Sequence, residues 1–387
     1  CHTMAQPDDP PAFCAKLVEA FAGWPDGSVT SPHAGDDDVL IAALRDLQWR
    51  KRRFVIAIVG TGLVFAMTLV LTGLANGFGV EANRTVDALG LQNYLVKSGA
   101  PGPFLGSSPF PAAEVQRVSR LPGVQTAVPL VYGSATMPDR GSARNVNVFG
   151  APERGPGMPV LSEGRAPSAP DEVAVSSTMR KPIGSTVEIG SRTMKIVGIV
   201  HDSTALARQP NIFLTIAGAQ QLLFSGQQLI SSIGLRGVPA QVPDGYRIVD
   251  RAGAVEDLSR ALNGARQAIA LMAGLLWVVA ALIVGSMIYV SALERTRDFA
   301  VFKAVGVPTR SILSGLAMQA VIVALLAALL GGVLSVLLGP LFPMRVDIPR
   351  LAFILLPVLA VGVGLLASVA GIRRAVTVDP ALAFGGP

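Results

Sequence analysis

Charge is scarce in this 387-residue chain: Asp, Glu, Lys and Arg make up 15% of it, hydrophobic residues make up 51%, and the mean hydropathy is +0.51. That balance excludes an ordinary soluble protein and points to an integral membrane protein. The only two cysteines, Cys1 and Cys14, exclude a disulfide framework. With three histidines, His2, His33 and His201, they also cannot form a four-ligand structural metal site at the usual paired spacings. No G-x-x-x-x-G-K-[ST] loop occurs, so the backbone cradle and lysine that hold a nucleoside triphosphate are missing. The serine pairs Ser107-Ser108, Ser176-Ser177 and Ser231-Ser232 carry no G-x-S-x-G elbow. His201 beside Asp202 has no nucleophile or metal partner in the sequence and reads as a polar pair at a strand end. No catalytic residue and no metal ligand are assigned. A net charge of +6 would suggest nucleic acid in a soluble protein. Here the basic residues flank apolar runs, where they set topology and meet lipid headgroups, and nucleic-acid binding is discounted.

What is present is a set of long apolar runs around one polar region. Residues 1–38 carry Pro7, Pro10, Pro11 and the run Asp36-Asp37-Asp38, with no sustained apolar stretch and no signal peptide. They are expected to be a disordered or artificial extension, with the native start near Val39. From 39 to 53, Leu40, Leu44 and Leu47 share a helical face, and Trp49 precedes Arg50-Lys51-Arg52-Arg53. This predicts an amphipathic helix on the inner membrane surface, with Trp49 at the headgroups and Arg50, Lys51, Arg52 and Arg53 on anionic lipid. Apolar segments at 54–76, 267–293, 311–341 and 351–372 are each long enough to span a hydrocarbon core of roughly 30 Å. Between the first two, residues 77–266 have ordinary polarity and short β-like runs at Glu172 to Val175, Thr186 to Ile189 and Lys195 to Val200. Helical patterns at Ala112 to Arg120 and Ala217 to Phe224 add to these, and Gly99 to Pro111 reads as a loop.

The expected fold is therefore membrane α-helical, with four transmembrane helices and a large α+β extracytoplasmic domain inserted between the first and second. Arg295, Arg297, Lys303 and Arg310 lie in 294–310 and the adjacent Arg373 and Arg374 directly follow the fourth apolar segment in the tail 373–387, whereas the outer turn 342–350 has only Arg345 and Arg350. Both termini are thus expected in the cytoplasm of a multi-pass protein. Within the third span Ala327, Gly331, Ser335 and Gly339 recur every four residues, and Gly73 and Gly77 do so in the first. Small residues at that spacing let helix backbones approach closely, so both sets are expected to pack against another helix. No expected span holds an ionisable residue, which argues against a proton relay or ion pathway.

The one charged segment between two apolar runs is Glu294-Arg295-Thr296-Arg297-Asp298-Phe299-Ala300-Val301-Phe302-Lys303-Ala304-Val305-Gly306. It resembles the E-R-x-R-E-[FI]-[AG]-[VIL]-[LM]-[KR]-A-[LI]-G segment of the MacB/FtsX-type ABC transporter permeases, the type VII ABC superfamily. Asp298 replaces the commoner Glu and Phe302 the commoner Leu or Met. Leu121-Pro122-Gly123-Val124 with Val128-Pro129, Leu161 to Pro167, the Lys195 to Val200 strand and Arg373 to Ala383 are similar to further elements of that family in the same order. The resemblance covers almost all of residues 39–387.

It implies a non-catalytic subunit with no cofactor of its own, coupled to a cytoplasmic ABC ATPase that binds ATP and Mg. The ATPase-docking helix, with Glu294 and Asp298 in its sequence, would use Phe299 and Phe302 as anchors, Arg295, Arg297 and Lys303 as a polar rim, and Gly306 as its stop. It further implies a homodimer, or a pair with a paralogous permease, in a bacterial cytoplasmic membrane, with an extracytoplasmic protein partner conceivable. Export or extraction at the outer face is the first expectation. The alternative is FtsX-like mechanotransmission that regulates a cell-wall hydrolase. Phe224-Ser225-Gly226-Gln227 has the look of an ABC signature but sits in the outer domain, and is read as coincidence.

Overall fold

A computed structural model describes residues 51–139, 142–294 and 309–376. Seven α-helices organise the described residues: α1 (Lys51–Ala88), α2 (Glu114–Ser119), α3 (Ile216–Leu223), α4 (Arg251–Ser259), α5 (Asn263–Glu294), α6 (Thr309–Leu338) and α7 (Arg350–Val376). By length and composition, three stretches suffice to cross a membrane: Phe54–Ala88, Arg251–Met287 and Ala317–Leu341. A shorter apolar stretch, Arg350–Gly362, opens α7.

Helix α1 continues past the expected boundary at residue 76. It runs for 38 residues, or about 57 Å at 1.5 Å per residue, so it leaves the apolar zone and enters the polar domain unbroken. Gly77 and Gly79 weaken it locally, but tertiary packing overrides them. Phe78, Ala82 and Val86, four residues apart on one face, are 3%, 4% and 0% exposed. The boundary expected at 266 is crossed in the same way: α4, a 3-10 turn at Arg260–Leu262 and α5 form a nearly continuous helical path from Arg251. Asp250 caps its start, accepting a hydrogen bond from Gly253 N at 2.8 Å. The expected junction between surface helix and span at 53/54 falls inside α1.

The intervening chain forms a large sheet in the order β13-β1-β12-β3-β4-β10-β6-β8-β5, with β7 (Thr186–Ile189) beside β8 and β9 (Thr204–Ala205) beside β10; β13 is Tyr246–Asp250 and β5 is Glu163–Gly164, and β2 (Phe110–Pro111) pairs separately with β11 (Leu229–Ile230). Its central strands are β1 (Asn93–Lys97), β3 (Val124–Asp139), β4 (Ser142–Gly150), β10 (Gln209–Leu214) and β12 (Ser232–Gly237). Most pairs are antiparallel. β4 with β10, and β6 (Glu172–Ser176) with β8 (Arg192–Val200), are parallel. Both faces are covered, which explains why the strands read as short apolar runs rather than strict alternation. Tyr94 and Val96 join one core with Ala82, Val86, Ala254 and Leu258 of α1 and α4. Leu95, between them in sequence, joins the opposite core with Ala219 of α3 and Val118 of α2. At the centre of the first core Phe104, Tyr132 and Phe149 meet edge to face at 5.0–5.9 Å. Phe104 comes from the predicted loop, which Asp257 pins by accepting from Phe104 N (2.8 Å) and Gly106 N (3.1 Å).

The Leu161 to Pro167 motif is structural. Gly164 (φ +78°) lies in β5 (Glu163–Gly164) against β8, and Arg165 pairs with Glu172 at the head of β6. The Arg165 guanidinium, helped by Ser168 N, holds the Glu172 carboxyl at about 2, below the usual 4.5. Because its folded value is depressed, the pair stabilises the fold above about pH 4.5 and loses that contribution as pH falls toward 2. Arg165 is 56% exposed, so the effect is small. Glu172→Gln should lower the melting temperature of the purified chain by roughly 1–3 °C at pH 7, and the gap from wild type should close progressively below pH 4.5.

In the membrane bundle α1 packs on α5 and α6, and α7 on α5 and α6. Phe65, Leu69, Ala280, Ala324, Ala327, Ala328, Leu356 and Ala360 form its core.

Candidate functional site: the junction of bundle and outer domain

After β8 the chain turns back over the C-terminal half of α1. Asp202, Leu206, Ala207 and Arg208 all have left-handed backbones, with φ of +42°, +51°, +65° and +67°. Such a run costs of order 1–3 kcal/mol per residue and persists only where the surroundings over-determine it. The over-determining group is Glu81, 1% exposed on α1. Its carboxylate accepts from Thr204 Oγ1 and from Arg208 N, both at 3.0 Å. One turn on, Thr85 Oγ1 donates to Thr204 O at 3.0 Å and accepts from Asn211 Nδ2 at 3.2 Å. A buried carboxylate is costly unless hydrogen-bonded, so these contacts bind the 201–211 segment and α1 into one body. Further out, Arg251 of α4 grips Asp87 of α1 at 2.5 and 2.9 Å.

A second attachment comes from the turn between α6 and α7. Arg345 Nη1 reaches Asp202 Oδ2 at 2.7 Å, and Arg84 of α1 approaches the same oxygen at 3.7 Å. The backbone of the turn lies along α1: Asp347 N donates to Gly73 O and Asn76 Nδ2 donates to Asp347 O, each at 2.9 Å. A Cβ on Gly77 would stand 2.1 Å from Arg345 O, and one on Gly73 2.6 Å from Ile348 Cγ1. Gly73 and Gly77, expected to seat another helix, instead seat this turn. Glu81, Asp202, Arg208, Arg345 and Asp347 surround a cavity of about 520 Å³ that is closed on the bundle side by Val336 and Phe353.

The small residues of α6 do meet a helix. A Cβ on Gly331 would lie 2.7 Å from Phe65 Cβ and 2.9 Å from Gly62 O of α1, and Ala327 is fully buried. Ser335, also buried, donates to Gly332 O at 2.8 Å. Gly339 opens the 3-10 turn beside Val346. Gly62, missed in the sequence, is the counterpart on α1; the signal that could have found it is Ala66, four residues on, which is 1% exposed and whose backbone N lies 3.1 Å from a Cβ on Gly331.

Of the docking residues, Glu294 is helical, in α5, and exposed. Arg295, Arg297, Asp298, Phe299, Phe302, Lys303 and Gly306 lie outside the described residues, as do Trp49 and Arg50. Lys51, Arg52 and Arg53 form the first turn of α1, with Arg52 exposed. Sequence reasoning also missed Glu81, Thr85, Thr204 and Arg345. The only local signal was an acid one turn from Phe78 in an otherwise neutral helix face. Asp202 lies just past the end of β8, as its place in the sequence implies, but its partner Arg345 lies 143 positions away.

Two family models match: a MacB-like periplasmic core domain over residues 54–256 and an FtsX-like permease C-terminal region over residues 270–380. An ABC transporter permease of Mycobacterium tuberculosis is 65% identical over 90% of this chain and 100% of its own length. A macrolide export ATP-binding/permease protein of Hahella chejuensis is 24% identical over 76% of this chain and 51% of its own. The solved periplasmic region of MacB from Actinobacillus actinomycetemcomitans aligns with a TM-score of 0.30 at 13% identity, over 42% of this chain and 89% of that one.

Proposed function

Since the chain belongs to the MacB/FtsX-type ABC transporter permeases of the bacterial cell membrane, we propose that it is a transmembrane subunit that carries the work of a separate cytoplasmic ATPase to its outer domain, for export or extraction at the outer face. It crosses the membrane four times with both termini inside, α7 supplying the fourth crossing, and works as a homodimer or with a paralogous permease. ATP and Mg belong to the ATPase, and this chain performs no bond chemistry.

The observation that carries this reading is the unbroken α1, which runs from Lys51 through the bundle onto one face of the sheet, where it is clamped at Glu81, Thr85 and Asp87. A helix held at its far end by several hydrogen bonds and a packed face moves its domain as a lever. Tilting of α1 or α5 at the inner end therefore reorients the sheet rather than dissipating in a loop. The turn at Arg345 ties α6 and α7 to the same lever. The export relative, whose name joins ATP-binding and permease functions, supports the direction of work. Reconstituted in liposomes with the ATPase that co-purifies with it, the chain should raise ATP hydrolysis several-fold over the ATPase alone. An unchanged rate would overturn the coupling.

A further inference from the structure

Beside the junction lies a second, larger cavity of about 700 Å³ whose lining is of one sign. Arg144, Arg180, Lys181 and Arg208 line it with the hydroxyls of Ser177 and Thr178, and among the described residues no carboxylate does. Some exposed arginines of the domain are paired, as in Arg165 with Glu172, Arg251 with Asp87 and Arg117 with Glu114, whereas here four cations line one cavity. Among the described residues Arg180, Lys181 and Arg208 have no carboxylate within ion-pair distance. Two of these cations sit on left-handed backbones, Arg180 at φ +52° and Arg208 at φ +67°. Arg208 is fixed there by its N–H bond to Glu81, and Arg180 by its N–H bond to Ser177 O at 3.1 Å. Ser177 Oγ is itself held by Asp202 N at 2.9 Å.

The position of the cavity identifies the ligand. Ala207, in its wall, packs on Leu71 and Phe78 of α1 and Ile269 of α5, where the apolar zone ends. Pro343 of the outer turn closes another side. The cavity therefore opens where a lipid headgroup would lie if the domain stands on the outer face. Converging like charges repel one another and strain adds to that cost. An anion with several acceptor oxygens offsets both, and guanidinium groups match phosphate geometry with paired N–H donors. The volume falls within the range of roughly 300–1,000 Å³ usual for small-molecule sites.

We propose that this cavity binds the phosphate group of an anionic lipid headgroup in the outer leaflet, fastening the outer domain to the membrane surface beside the junction. The proposal rests on the outer placement of the domain inferred above, but its test needs neither ATP nor the ATPase, so its failure and a failure of coupling are distinguishable.

The test is native mass spectrometry of the delipidated full-length chain, titrated with phosphatidylglycerol or phosphatidylcholine, in wild type and in R180Q/K181Q/R208Q. Wild type should hold one phosphatidylglycerol about tenfold or more tighter than phosphatidylcholine, and the triple variant should lose that preference. The single variant Lys181→Glu, at an exposed position, should lose it as well and guards against misfolding of the triple variant. Inorganic phosphate is the second probe. If it raises the melting temperature of wild type but not of the variant while the lipid preference is absent, the site takes a free anion and the lipid source is wrong. Equal phosphatidylglycerol preference in wild type and both variants overturns the site altogether.

Discussion

Gly77→Ala should detach the turn between α6 and α7 from α1 and remove the second tie between the outer domain and the bundle, whereas Gly79→Ala, two residues further on, should leave that tie intact. In an exposed helix interior either change would stabilise by roughly 0.5–1 kcal/mol through backbone entropy. At Gly79 nothing lies within 4 Å of the new methyl, so that gain stands. At Gly77 the methyl would sit 2.1 Å from the Arg345 carbonyl oxygen, a separation that no adjustment of a flexible side-chain end relieves. Overpacking costs about 1–3 kcal/mol. Moving the turn also breaks the Asp347 N to Gly73 O and Asn76 Nδ2 to Asp347 O bonds, at about 1 kcal/mol each. The steric and hydrogen-bond terms exceed the propensity gain, so the two alanines carry opposite signs.

The functional consequence follows from what the turn holds. Once it lifts, Arg345 leaves Asp202, and the 201–211 segment keeps only its α1 contacts. In the complex with its ATPase, wild type should show altered hydrogen exchange across 201–211 and 342–349 when the nucleotide state is trapped. Gly77→Ala should show rapid exchange at 342–349 in every state and no nucleotide response at 201–211, with ATP hydrolysis retained. Wild-type exchange in Gly77→Ala would sink the idea that this turn transmits motion.

How far the sequence discloses these features depends on their range. Thr186 to Ile189 and Lys195 to Val200 are legible as strands because their own apolar pattern buries them, and they fall in β7 (Thr186–Ile189) and β8. Hydropathy marks where lipid contact ends, but a helix ends where its packing ends. That difference hid the twelve residues of α1 beyond Asn76 and the start of α4 at Arg251. Gly73 and Gly77 announce a close approach without naming what approaches, since a turn and a helix both need a missing side chain. The clamps were illegible for a stronger reason: Thr204 is 123 positions from Glu81, and Arg345 is 143 from Asp202. Each residue alone looks like an ordinary surface charge or hydroxyl, and only the fold makes them partners.

Phe302→Glu should abolish co-purification of the ATPase while leaving membrane insertion of this chain intact. The segment that follows Glu294 combines Phe299 and Phe302 with Arg295, Arg297, Asp298 and Lys303, and in the docking reading the aromatics enter a groove while the charges stay at its rim. Truncating a buried aromatic anchor costs about 2–4 kcal/mol, and a carboxylate in its place adds the penalty of an unpaired charge in an apolar site. A combined loss of roughly 4 kcal/mol or more is a thousandfold in affinity, enough to empty the complex during purification. Arg295→Ala removes only a rim charge and should instead slow association and weaken its salt dependence, with a complex still recovered. An ordinary basic loop that merely orients the spans inverts this order: Phe302→Glu would then be silent, and neutralising the arginines would disturb topology. Comparing the two variants by pull-down and by protease accessibility of the outer domain in intact cells separates docking from orientation. Undiminished ATPase recovery with Phe302→Glu would remove the docking assignment.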